Sequence, residues 1–149
     1  MAKQFLKLYQ VEEAIFTLEH GITTIENVYD LLYFKVLINI IENNFDQAMN
    51  DINRCIKIKP NYPANYFAKA LILDHTGEYI LAINNLSKAI SKWNDDDKFN
   101  SIPTLENENV ELWKLFRFRG ELYGKLNGLY TFDKALEEYN KAIATNPNE

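Results

Sequence analysis

The chain is 149 residues long, 47% hydrophobic, and carries a formal net charge of −5. Such a length and apolar content fit one compact domain or one short array and exclude a disordered chain, while the acidic balance argues against general nucleic-acid or membrane-surface binding. The single cysteine excludes an internal disulfide framework and fits a reducing, cytoplasmic setting. The opening residues, M-A-K-Q-F-L-K-L-Y-Q-V-E-E, lack the apolar core of a secretory signal. No apolar run reaches the roughly 20 residues of a membrane helix. The greasiest stretch, V-L-I-N-I-I at residues 36–41, is far shorter.

Residues 3–20 read as a helix, with Phe5, Leu8, Ala14, Ile15 and Leu18 at helical spacing and His20-Gly21 at its end. Residues 25–43 predict a second helix, apolar on more than one face. Asn43-Asn44 turns the chain into a third helix, 45–59, which Pro60 stops by lacking an amide donor. After a short connector ending at Pro63, residues 64–76 predict a fourth helix, Gly77 a tight turn, and 79–93 a fifth. Residues 94–109 are polar, acidic and broken by Pro103, so they read as a loop. Residues 110–126 predict a sixth helix, Asn127-Gly128 a turn, and 132–145 a seventh. No stretch alternates with period two long enough for a strand. The expectation is an all-α chain of seven helices paired as antiparallel hairpins.

One pattern recurs in three of these helices. An aromatic residue precedes an alanine by three, a large side chain follows four later, a small one three after that, and Pro or Asn five beyond. The copies are Phe45, Ala48, Ile52, Cys55, Pro60; then Tyr79, Ala82, Leu86, Ala89, Asn94; then Phe132, Ala135, Tyr139, Ala142, Pro147. Ala48 and Ala82 lie 34 residues apart, and 34 before Ala48 is Ala14. Ala82 and Ala135 lie 53 apart, one period plus 19, so one insertion interrupts the repeat. A hairpin of two amphipathic helices buries one side of itself, and stacking the next hairpin buries the other. The small residues fall where neighbouring helices must approach closely.

These residues resemble the tetratricopeptide repeat family, whose unit is about 34 residues of helix-turn-helix. The second-helix half matches three times. In the first-helix half, Tyr66 with Ala70 and Leu73, and Phe116 with Gly120 and Tyr123, follow the family, whereas Leu32 with Val36 and Asn39 is degenerate. Trp113 is a second-ranked anchor for the last copy. The resemblance implies a right-handed superhelical solenoid: a half repeat at 1–24, repeats at 29–62 and 63–94, an inserted loop at 95–109, and a repeat at 110–147. Three extra residues fall near Gly128-Leu129-Tyr130 and are assigned to the turn inside the last repeat. The chain stops soon after a repeat boundary, so the stripe holding Leu136, Tyr139 and Ile143 is expected to be open to self-association or to continuation of the array.

The resemblance also implies a non-enzymatic scaffold or adaptor whose first helices line a groove for a partner peptide or helix. A small chaperone shielding one client is the alternative. Groove candidates are Tyr33 and Leu37 in the first repeat, Phe67, Leu71 and His75 in the second, and Lys114, Arg117 and Lys125 in the third, with Asp30, Ile41, Asp74 and Glu121 beside them. Apolar surface followed by cations would complement a peptide with an apolar stretch and an acidic end. The clamp that some family members use for chaperone carboxylate tails would need cations and asparagines where this chain has Tyr33, Leu37, Ala68, Lys114 and Phe118. Only Lys114 fits, so no such binding is expected.

Little else suggests chemistry. Cys55 sits at a small-residue packing position with no histidine motif nearby. His20 and His75 have no metal-ligand companion one helical turn away. Asp95-Asp96-Asp97 lacks the glycine and distal glutamate of a calcium loop. Asn85-Leu86-Ser87 spells a glycosylation sequon, but inside a predicted helix. No catalytic group, metal or cofactor is expected.

Overall fold

The computed structural model describes residues 25–93, 110–146 and 148, with side chains from residue 28 onward. Six helices are present among these residues: α1 (Ile25–Ile41), α2 (Phe45–Ile58), α3 (Pro63–His75), α4 (Tyr79–Ser91), α5 (Leu112–Lys125) and α6 (Leu129–Thr145). There is no strand among the described residues. The expected helix at 3–20 and loop at 94–109 lie outside them.

The helices form three hairpins, α1–α2, α3–α4 and α5–α6, and consecutive hairpins stack through α2–α3 and α4–α5. The helices α1 and α3, each the first of its hairpin, also touch. This is the layered stacking of a tetratricopeptide-type solenoid. The apolar character of α1 on more than one face follows from its place: it packs on both α2 and α3. Accordingly Tyr29, Leu32, Tyr33, Val36, Ile38 and Ile40 are all buried.

Each hairpin turns on a residue with positive φ, two positions before its second helix: Asn43 (φ 60°), Gly77 (φ 80°) and Asn127 (φ 54°). Asparagine and glycine are the residues that enter this left-handed region most readily. Asn43 therefore ends α1 at Ile41, two residues earlier than the sequence spacing predicts.

The last hairpin departs from expectation in a second way. The three extra residues do not widen its turn; they lengthen α6 by one turn at its start, from Leu129 instead of 132. Thr131 causes this. Its Oγ1 accepts a hydrogen bond from the Gly128 N–H at 2.7 Å and donates to the Gly128 carbonyl at 2.6 Å, closing the first turn.

The small-residue positions do what the repeat requires. Ala48, Ala82, Cys55 and Ala89 are wholly buried, and Ala135 and Ala142 nearly so. Gly120 is the tightest crossing: a Cβ there would sit 3.2 Å from both the Ala135 carbonyl oxygen and Tyr139 Cε1.

Candidate functional site

The groove candidates lie on the first helices, α1, α3 and α5. Tyr33 corrects the sequence reading. It is only 1% exposed, its ring stacks on Tyr29, and its hydroxyl donates to the Ala64 carbonyl at 3.4 Å. It belongs to the joint between the first two hairpins and offers a partner no surface. Next to it, Tyr29 donates to Asn65 Oδ1 at 2.9 Å, and Asn65 donates to the Lys59 carbonyl at 2.6 Å. Burial raises the ionisation of both phenols well above the usual tyrosine value, which keeps them neutral donors.

Leu37, Phe67 and Leu71 are half-buried and pack against the core. Phe67 meets Phe118 of α5 edge to face, with ring centroids 6.0 Å apart. Phe118 was not among the groove candidates; its spacing of 51 from Phe67 hides the contact in sequence. Asp74 at the end of α3 pairs with Lys125 at the end of α5, and Lys125 also lies 5.4 Å above the Tyr79 ring. These contacts join the second and third hairpins along their first helices. His75 is exposed and stacks on Phe45 of α2, centroids 5.3 Å apart. Asp30 and Ile41 are exposed on α1.

The cations of α5 are more neutralised than the sequence suggests. Besides the Lys125–Asp74 pair, Arg117 pairs with Glu121 one turn away at 3.4 Å. Lys114 and Arg117 both lie 5.5 Å from the Trp113 ring, in cation–π range. Trp113 and Arg117 also wall a cavity of about 450 Å³ with Tyr139, Ala142, Ile143 and Asn146.

A further set of residues escapes a sequence reading. Asp51 of α2 is 1% exposed and pairs with Lys35 of α1 at 3.6 Å. At the equivalent position of the third hairpin, Glu138 of α6 is 3% exposed and pairs with Arg119 of α5 at 2.8 Å. Arg119 also donates to Ser87 Oγ of α4 at 2.9 Å, tying the second hairpin to the third. In the second hairpin the acid is replaced by Asn85, whose amide returns to the Leu81 carbonyl, and the equivalent cation, Lys69, reaches Asn53 of α2 instead. The pairs thus recur at equivalent positions of the first and third hairpins, set inside them.

Burial, then the Asp51 charge, pushes the Cys55 thiol up to about 12, so it is not a reactive thiolate at neutral pH. Among the described residues no group of three or more His, Cys, Asp or Glu could hold a metal ion. None of their helices is long and apolar enough to cross a membrane.

Stacked antiparallel helix hairpins define the class of helical repeat proteins. Within that class, residues 29–62 match the tetratricopeptide repeat family. The matched span is the hairpin α1–α2 with the connector after it. No curated protein matches the chain.

Proposed function

We propose that the chain is a non-enzymatic interaction module that holds a segment of a partner protein along α1, α3 and α5. Its repeats would be 29–62, 63–94 and 110–147. The observation that carries this reading is the apolar strip of Leu37, Phe67, Leu71 and Phe118, half-buried and shared among three consecutive first helices. Such a strip suits an amphipathic helix or an extended peptide with alternating apolar anchors. Lys114 and Arg117 at the far end of α5 favour an acidic residue at one end of that segment. A buried, protonated cysteine suits a cytoplasmic setting.

The test is affinity capture from source cells, comparing the wild type with Phe67→Ala/Leu71→Ala. The double variant is expected to lose the specific partner while keeping its helical content. Undiminished capture by it places the binding surface elsewhere. A single captured client that is insoluble without this protein would make the module a dedicated chaperone.

A further inference from the structure

The second helix of the last hairpin presents an apolar stripe to solvent. Leu129, Phe132, Leu136, Tyr139 and Ile143 follow one another at intervals of three and four, the spacing of a coiled-coil seam. Leu129 is 90% exposed, Leu136 61%, and Phe132 and Ile143 58% each. Residues of this kind are singly common on surfaces, but five aligned on one helix are not. The stripe has a protruding end and a hollow end. Leu129 projects from the extra first turn of α6. At the other end, Tyr139 and Ile143 form one wall of the cavity of about 450 Å³ whose opposite wall is Trp113 and Arg117.

Knob and hollow are 14 residues apart on one straight helix, about 21 Å at 1.5 Å per residue. No chain can fill its own hollow with its own knob. The geometry points to a second copy of this chain as the occupant, docked antiparallel about a two-fold axis through Leu136. In that arrangement Leu129 lies over the partner's Ile143 and enters the partner's hollow, Phe132 meets the partner's Tyr139, and Leu136 meets the partner's Leu136. Both hollows are filled by one operation, as a two-fold interface requires. Parallel docking would set knob on knob and leave both hollows empty.

Charge permits the contact. The acids of α6 are Asp133, Glu137 and Glu138 and its bases Lys134 and Lys141. Glu138 is held by Arg119, and Glu137 by Lys134 and Lys141. A chain of net charge −5 therefore brings no like-charged wall to this face. Asp133 falls beside the partner's Asn140, an amide that can donate to it. Five side chains offering on the order of 100 Å² each give about 500 Å², and the lining of the hollow has to supply the rest of the roughly 800 Å² per partner of a standard interface. The surface shares Arg117 with the proposed partner site but includes none of Leu37, Phe67, Leu71 or Phe118, so variants of Leu136 and of Phe67 with Leu71 test the two readings separately.

The experiment is sedimentation equilibrium of the full chain over a wide concentration range, with two variants of the two-fold residue. The wild type is expected to form a dimer. Leu136→Glu, an exposed position, is expected to keep helical content and weaken dimerisation by at least about tenfold. Leu136→Cys is expected to give a disulfide-linked dimer on mild oxidation, because position 136 lies on the two-fold axis, whereas Leu129→Cys, which would meet its own copy only in parallel docking, is expected to stay unlinked. Ile80→Cys, exposed on α4, is the control that stays unlinked. A monomer at every concentration overturns the proposal and leaves the face to a different polypeptide. A dimer that Leu136→Glu does not weaken, or that Leu136→Cys does not link, overturns it equally.

Discussion

Individual polar groups in this core are matched closely enough that the exceptions are informative. Asn39 is buried and its Nδ2 has no hydrogen-bond partner among the described residues. One period later the same position holds Leu73, which is 4% exposed and part of the core. A buried donor left unsatisfied costs about 1–3 kcal/mol. Asn39→Leu is therefore expected to raise stability by about 1–2 kcal/mol, read as a higher urea midpoint with an unchanged m-value. The buried protonated groups act in the opposite direction as pH rises. Cys55, Tyr29 and Tyr33 are all raised by burial in the folded chain, from ordinary values of 9.0 for the thiol and 10.0 for the phenols. Because the unfolded chain releases these protons first, their stabilisation is complete below about pH 9 and is lost as pH climbs above it. Thermal midpoints are expected to hold between neutrality and that point and then fall, by up to about 1.4 kcal/mol per group per pH unit. Cys55→Ala should delay the onset of the fall toward the phenol range.

For each helix and its neighbours, the period of 34 carried most of the fold, because the residues that set it answer to packing. Alanine and cysteine stand where helices cross, and asparagine or glycine where the chain must enter the left-handed region. The start of α6 was not legible in the same way. Gly128 reads as part of a turn in any sequence, and only the two hydrogen bonds to Thr131 show that the helix begins beside it. Tyr33 misled because a first helix in the middle of a stack has two covered sides, and a tyrosine suits a groove wall as well as a buried joint. The ion pairs were hidden for a related reason. Lys35 and Asp51, or Arg119 and Glu138, look like surface charges until α1 and α2, or α5 and α6, are folded against each other. The Arg119–Glu138 pair is the more enclosed, and removing one member leaves the other buried without compensation. Glu138→Ala is expected to cost about 3–5 kcal/mol, measured by urea unfolding. Adding Arg119→Met should recover most of the loss, since a well-packed apolar pair can replace a buried ion pair at little net cost.

Across the whole molecule, stability is distributed by how many faces each helix has covered. A stacked array behaves as a row of hairpins, each held by its own interior and by its neighbours. The helix α3 lies in the middle of the row. Of its 13 residues eight are buried, including Pro63, Asn65, Tyr66 and Leu73. By contrast, among the described helices α6 packs essentially on α5 alone, and of its 17 residues Ala135, Glu138 and Ala142 are the buried ones. Opening α6 breaks a single interface, whereas opening α3 breaks its contacts with α1, α2 and α4 together. Amide exchange in the native state measures the free energy of such openings. The amides of α6 are expected to exchange fastest among the six helices when the protein is dilute, and those of α3 to approach the rate set by global unfolding. Mass spectrometry of peptides from each helix reads this directly. Comparing the protein at low and high concentration adds a second axis: if a second copy covers the α6 stripe, protection rises there and leaves α3 unchanged. Uniform exchange across all six helices would instead show that the array unfolds as one cooperative unit, with the Arg119 link to Ser87 and Glu138 strong enough to bind the last hairpin to the rest.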